Sequence, residues 1–248
     1  HRGRFIGGNV GMTKRGKRYV EAVSLIEDAR DYSPREAVAL IKKIATAKFD
    51  ETVELHLRSG ADPRQADQLV RGVATLPHGT GKLVRVVVFT QGEGVAVAEQ
   101  AGADFIGDDE LIKKIEGGWA DFDVSIATPD VMSKVGRLGR VLGRKGLMPN
   151  PRNGTVVQVG DIERAVAEAK KGRVEYRLDR TSLMHVVIGK ASFDEDQLLD
   201  NLTSVMDSVI RSRPAGVKGE YIRSSFLTTS MGPSIRMDVA EASELKVE

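Results

Sequence analysis

Hydrophobic positions along the chain change period at several points, and each change marks an expected element. Ser33-Pro34-Arg35-Glu36 reads as a helix start, with a Ser cap, Pro at the first helical position and Glu three residues after the cap. Ala37, Leu40, Ile41 and Ile44 then fall on one helical stripe. After Lys48-Phe49-Asp50 the period becomes two: Val53, Leu55 and Leu57 alternate with Thr52, Glu54 and His56, the pattern of a half-buried strand. Leu76-Pro77-His78-Gly79-Thr80-Gly81 is a breaker cluster and a candidate hinge. Residues 83–90 form a nearly continuous apolar run, which suits a parallel strand covered on both faces. A helix near 95–101, a short strand near Phe105, a helix near 109–115 and a strand over 124–128 follow, and a further helix starts at Pro129. A helix over 161–171 stops at Gly172. Residues 174–178 and 183–188 read as a hairpin around Asp179-Arg180-Thr181-Ser182. Leu198, Leu202, Val205 and Val209 predict a long helix that ends before Pro214. Residues 218–229 are strand-like up to Met231-Gly232-Pro233, and 240–248 reads as a frayed tail.

The two ends of the chain share one style and the middle has another. The simplest architecture is α/β with two domains. Residues 12–79 and 172–240 together form a split-βαβ (ferredoxin-like) domain, and 80–171 form an inserted Rossmann-like parallel α/β domain. The first 11 residues are basic, Gly-rich and aperiodic, and read as a disordered extension ahead of Met12. Two chain crossings at one hinge would permit the inserted domain to rotate.

Composition narrows the function classes. The 248 residues contain no cysteine, which excludes disulfides and thiolate metal sites, and the four histidines show no metal-ligand spacing. No apolar run reaches the roughly 20 residues of a membrane span, and the first residues lack the apolar core of a secretory signal. Net charge is only +2, but it is unevenly spread. Residues 1–20 and 131–160 carry Lys and Arg and no acid, whereas acids gather at Asp108-Asp109-Glu110 and Asp194-Glu195-Asp196. Local basic surfaces on a nearly neutral protein suit a polyanionic partner.

Several segments carry candidate chemistry. Gln91-Gly92-Glu93-Gly94-Val95-Ala96-Val97 starts like a dinucleotide fingerprint, but Val97 stands where the third glycine belongs, and a tight turn explains the pair of glycines. The run from Gly136 to Pro151 interleaves glycines with Arg137, Arg140, Arg144 and Lys145 and ends in Met148-Pro149-Asn150-Pro151. It reads either as a secondary basic surface, for contact with a phosphate backbone or as a mobile interdomain surface, or as a structural turn after a short basic helix. Ser224 to Gly232 is rich in hydroxyls, which bond to ribose and phosphate; a Thr/Ser-rich edge strand is the other reading. Lys48-Phe49 sets a cation beside an aromatic ring, to meet RNA or to enter the core. His185, among apolar neighbours, reads as a structural histidine. No triad or paired-carboxylate pattern stands out, so no catalytic residue, metal or cofactor is assigned.

At Gly146-Leu147-Met148-Pro149-Asn150-Pro151 the chain resembles the L-one family of bacterial large-subunit ribosomal proteins. The likeness runs from about Met12 to Asp238. It also rests on residues 47–54, Val70-Arg71-Gly72, Leu76-Pro77-His78-Gly79, Ala127-Thr128-Pro129-Asp130, Gly189-Lys190-Ala191-Ser192-Phe193 and Thr228-Thr229-Ser230-Met231-Gly232, in that order. The resemblance implies a cytoplasmic protein of the large subunit, not an enzyme. It implies binding to ribosomal RNA at the mobile stalk near the exit site, assistance to departing tRNA, and repression of translation through the protein's own messenger RNA. Its partners would be these RNAs and other ribosomal components, with no membrane. Carried over by position, the RNA contacts are Lys48, Phe49, Thr52, Asp179, Arg180, Ser224, Ser230, Met231 and Gly232.

The chain departs from the family pattern at Arg144-Lys145, where Pro-Arg is usual, at Ser230, where Thr is usual, and in residues 1–11. Two other functions compete with the ribosomal one. A nucleotide-dependent enzyme would hold its ligand at the carboxyl ends of the strands over 83–90 and 124–128. A free-standing translational repressor would have messenger RNA as its principal ligand.

Overall fold

The computed structural model describes residues 15–27, 29–107 and 109–245. The expected extension over 1–11 lies outside them.

Near the start of the chain are helices α1 (Lys17–Ser24) and α2 (Pro34–Ile44), then strands β1 (Thr52–Ser59) and β2 (Arg71–Thr75). The middle holds β3 (Val86–Phe89), α3 (Glu93–Gln100), β4 (Phe105–Ile106), α4 (Asp109–Glu116), β5 (Val124–Ala127), α5 (Met132–Val135), α6 (Gly139–Lys145) and α7 (Ile162–Lys171). The chain closes with β6 (Arg173–Arg177), β7 (Leu183–Lys190), α8 (Glu195–Arg211), β8 (Ile222–Thr229), β9 (Ile235–Met237) and α9 (Val239–Glu244).

The expected start of α2 is present in full: the Ser33 hydroxyl accepts from Glu36 N–H at 3.2 Å, and Glu36 Oε2 accepts from Ser33 N–H at 3.2 Å. In β1, Val53, Leu55 and Leu57 are fully buried, each contributing about 1.5–3 kcal/mol relative to exposure. The opposite face of β1 stays partly open.

Strands from both ends of the chain make one antiparallel sheet in the order β7-β1-β8-β9. Because β7 and β8 both run against β1, they are parallel to each other; α8 joins them and β1 lies between. Its core draws on residues 22–76 and 174–242. The middle of the chain makes a parallel sheet, β4-β3-β5, with every residue of β3 buried. Val87 and Phe89 pack against Ile115, Leu138 and Leu142 on one face, and Val86 and Val88 against Ala98, Ile162 and Val166 on the other. Cover on both faces explains why this strand reads as a continuous apolar run.

The two places where the chain passes between these sheets touch. Leu76 N–H donates to Gly172 O at 3.0 Å. Gly172 has φ +89°, and a Cβ there would lie 2.8 Å from Gly79 Cα. Fully buried Asn201 of α8 ties the crossing down: it accepts from His78 N–H at 3.1 Å and donates to Gly79 O at 3.0 Å and Ile188 O at 2.8 Å.

Three expectations need correction. β6 and β7 are not a hairpin: β6 pairs with β2 in a separate ribbon, while β7 pairs with β1. The turn between them is closed by Asp179 N–H donating to Leu183 O, but the chain then changes sheets. Residues after Pro129 are not one helix but two 3-10 turns alternating with α5 and α6, which suits the glycines at 136 and 139. The tail is not frayed through its length, because Asp238 caps α9 and Ala242 is fully buried. His185, despite its apolar neighbours along the strand, projects from the open face of the sheet, half exposed.

Candidate nucleic-acid interface

The open face of the four-stranded sheet carries most of the expected contacts. Its register places Thr52 opposite Lys190, Glu54 between Val187 and Thr228, His56 between His185 and Phe226, and Arg58 between Leu183 and Ser224.

At one end, the loop before β1 and the loop after β8 form a single platform. Phe49 is 56% exposed and Met231 53%, both large apolar side chains left in solvent. Beneath them Glu51 is 2% exposed. Its carboxylate accepts from Ala47 N–H and from Met231 N–H, each at 2.9 Å, so one acid fixes both loops. Asp50 accepts from the Ser192 N–H at 3.0 Å and its hydroxyl at 2.8 Å. Thr52 N–H donates to the Ser230 hydroxyl, and Ser230 N–H donates to Thr52 O, both at 3.1 Å. Lys190 Nζ donates to the Thr52 hydroxyl at 2.8 Å. Gly232 lies so near Thr229 that an added Cβ would be 2.4 Å from its hydroxyl oxygen. Six of the nine expected residues, Lys48, Phe49, Thr52, Ser230, Met231 and Gly232, therefore meet at this end.

The other three do not join them. Asp179, Arg180 and Ser224 belong to the far end of the sheet, six residues along β1, or about 20 Å away. Asp179 is a turn-builder: its Oδ1 accepts from Thr181 N–H at 2.8 Å and Leu183 N–H at 2.7 Å. Burial pushes its carboxyl upward, but the hydrogen bonds from Leu183 and Thr181 outweigh this and hold it below the usual carboxylate range. Arg180 extends from that turn, exposed.

Between the ends lies a pair that sequence reasoning did not single out. His56 Nδ1 and His185 Nδ1 are 2.6 Å apart across β1 and β7. Burial, and next the neighbouring His185, lower His56 from its ordinary value of 6.5, while Glu54 opposes them. Among the described residues no group of three or more His, Asp and Glu is arranged to hold a metal ion.

The glycine-rich run contains the expected structural turn after a short basic helix. Gly146 ends α6 with φ +70°, and Leu147 N–H returns to Leu142 O at 2.9 Å. Asn150 N–H donates to the Thr155 hydroxyl at 2.7 Å, which donates back to Asn150 O at 3.0 Å. This part is a structural turn. Arg137, Arg140, Arg144 and Lys145 are exposed and form no ion pair with any described acid. Arg144 and Lys145 line a cleft of about 470 Å³ together with Arg177, Asp179 and His185. The glycines of residues 91–94 serve the turn after β3: Gly92 has φ +62°, and a Cβ on Gly94 would overlap the Thr90 hydroxyl.

Glu51, which ties the two loops together, was missed from sequence. Its signal was an acid two residues before Val53, in phase with the buried positions of β1. The second missed feature, the histidine pair, required the β1–β7 register.

The model of the family described as "Ribosomal protein L1p/L10e family" matches residues 41–233. A protein named large ribosomal subunit protein uL1 from Dehalococcoides mccartyi is 56% identical over 234 residues, covering 94% of this chain and 99% of the relative. One of the same name from Thermomicrobium roseum is 53% identical over 234 residues, covering 94% and 97%.

Proposed function

Since the chain belongs to the ribosomal protein L1p/L10e family, whose members are structural and not enzymes, we propose that it works in the cytoplasm as a component of the large ribosomal subunit and binds ribosomal RNA at the mobile stalk through the open sheet face. The family excludes the nucleotide-dependent enzyme. The observation that carries the RNA reading is the platform of exposed Phe49 and Met231, held from below by buried Glu51. An aromatic ring and a flexible thioether, flanked by Lys48 and the hydroxyls of Thr52 and Ser230, offer stacking, charge and hydrogen bonds to the grooves and riboses of folded RNA. The far end adds Arg180 and the Ser224 hydroxyl, so an RNA lying along the face touches both ends over about 20 Å.

We read the molecule as a split-βαβ RNA-binding domain, 12–79 plus 172–240, carrying an inserted Rossmann-like domain, 80–171. The inserted domain swings with the stalk about the crossings at 76–81 and Gly172, and Arg137, Arg140, Arg144 and Lys145 form its secondary basic surface. Placed near the exit site, the protein assists release of tRNA. The same face recognises a like structure in the protein's own messenger RNA and represses its translation.

The test is binding of a stalk RNA fragment across a salt series, for the wild type and Met231→Asp. Each phosphate neutralised adds about −0.7 to −0.9 to the slope of log affinity against log salt, so contacts from Lys48, Lys190 and Arg180 predict a slope of about −2 to −3. Met231→Asp sets an unpaired charge in the platform and is expected to abolish tight binding. Equal affinity of the wild type for the stalk fragment and an unrelated hairpin refutes the reading. Competition between the stalk fragment and the leader of the protein's message tests the repressor role.

A further inference from the structure

The centre of the open face holds a second arrangement, distinct from the two ends. His56 and His185 stand side by side with their Nδ1 atoms 2.6 Å apart. That separation requires one Nδ1 to carry a hydrogen and the other to accept it. The outer nitrogen of each ring faces an acid: His56 Nε2 is 3.6 Å from Glu54, and His185 Nε2 is 3.8 Å from Asp179. In the neutral pair only one outer nitrogen carries a hydrogen, so the other turns a lone pair toward a carboxylate. One added proton removes that conflict: both outer nitrogens become donors and the shared inner hydrogen bond survives. A second proton would set two N–H groups against each other at the inner contact. The geometry is complete with one extra proton.

In the free protein burial and the neighbouring ring hold His56 below its ordinary value, so the extra proton is disfavoured there until a further negative charge arrives. Among the described residues neither Glu54 nor Asp179 forms an ion pair with a Lys or Arg, so the centre of the face is locally acidic while the histidines are neutral. On the same face lie Arg58 of β1, with Leu183 and Val187 of β7 and Ser224, Phe226 and Thr228 of β8. Arg236 of β9, opposite Phe226, is engaged with Asp31 at 3.0 Å. The cleft that His185 and Asp179 line is also lined by Arg71, paired with Glu175 at 2.6 Å, and by Arg144, Lys145 and Arg177. A polyanion laid along this face passes over the acidic centre, which opposes it unless the histidine pair is charged.

We propose that His56 and His185 form a proton-dependent contact for the RNA backbone at the centre of the sheet face, and that RNA binding takes up one proton there. This rests on the RNA reading of the same face. The sign is fixed by linkage: if the complex holds more protons than the free protein, affinity rises as pH falls. The histidine range is about pH 8 to about pH 6, and one proton gives at most a tenfold rise per pH unit.

The experiment is calorimetry of the full chain with the stalk RNA fragment at pH about 7, in two buffers of different ionisation heat, with affinities measured from about pH 8 to about pH 6. The wild type is expected to take up about one proton and to bind more tightly at lower pH. His56→Gln/His185→Gln is expected to lose the proton uptake and the pH dependence. Wild-type binding that is tight, pH-independent and without proton uptake overturns the inference and leaves the RNA reading standing. Persistence of the uptake in the double variant assigns the proton elsewhere and also overturns it. Absence of stalk-RNA binding at any pH overturns both. If the double variant does not fold, the wild-type histidine ring signals followed by NMR decide: RNA must raise the midpoint of the pair, and an unmoved midpoint refutes the contact.

Discussion

Replacing Glu51 with Gln tests whether one buried acid builds the platform. The carboxylate accepts two backbone N–H groups, from Ala47 and Met231, each at 2.9 Å, in a site only 2% exposed. Glutamine keeps the shape but presents one oxygen and one NH₂, so one of the two donors faces another donor. A hydrogen bond to a charged group is worth about 1.5–3 kcal/mol, and a buried donor without its partner costs about 1–3 kcal/mol. Glu51→Gln should therefore destabilise the fold by about 2–4 kcal/mol, since the lost bond and the stranded donor overlap but are not identical. Urea unfolding measures the total, with an unchanged slope confirming that the denatured state is not the cause. Amide exchange locates it, because the loss of protection should fall on Ala47 or Met231 rather than on the strand amides of β1. RNA affinity should drop together with loop order. Unchanged exchange at both amides, with stability within about 0.5 kcal/mol of the wild type, would refute the idea that Glu51 joins the two loops.

Three further outcomes follow from the same geometry. Phe49→Ala should leave stability within about 0.5 kcal/mol, as befits a side chain 56% exposed, yet weaken stalk-RNA binding by about 1–3 kcal/mol if the ring stacks on a base; parallel urea and binding titrations separate the two. Gly172→Ala should destabilise by at least about 1–3 kcal/mol, because φ is +89° and the new Cβ would press on Gly79; a wild-type urea midpoint would contradict the close crossing. The unfolded chain binds a proton at His56 more tightly than the folded chain does, so stability should fall as pH drops below about 6.5, and His56→Gln should show a flatter profile over that range.

Sequence pattern conveys what periodicity encodes and misses what register and switching between sheets decide. The capping box at Ser33, the alternation of β1 and the apolar run of β3 each have a local cause, a cap, one buried face or two, and each lies where the pattern puts it. The β6–β7 hairpin fails because two neighbouring strands with a tight turn carry no local sign that the first will pair with β2 instead. β9 escaped notice since three residues are too few to display a period. In the site, Lys48-Phe49 and the hydroxyl-rich run from Ser224 to Gly232 stood out from the residues alone, but only as one of two readings each, and the family resemblance chose between them. Their proximity depends on β1 and β8 pairing across the length of the chain, as in Val53 opposite Thr229. Asp179 and Ser224 came from the same resemblance, yet the sheet holds them apart from the platform.

The platform inverts the usual placement of residues, and the inversion argues for a partner. Solvent holds a phenylalanine and a methionine while the interior holds a glutamate. For stability alone the reverse is favoured, because burying the apolar pair would contribute about 1.5–3 kcal/mol each and an exposed acid costs nothing. A free-standing fold has no use for such an arrangement. A surface that must meet another molecule does: the buried acid fixes two loops without spending apolar surface on the task, and the apolar groups stay available. The same reasoning separates the two ends of the face. At the far end Asp179 is spent on its own turn, so of the three contacts proposed there only Arg180 and Ser224 have groups to offer, and on that proposal the loss of either should weaken binding less than the loss of Phe49 or Met231.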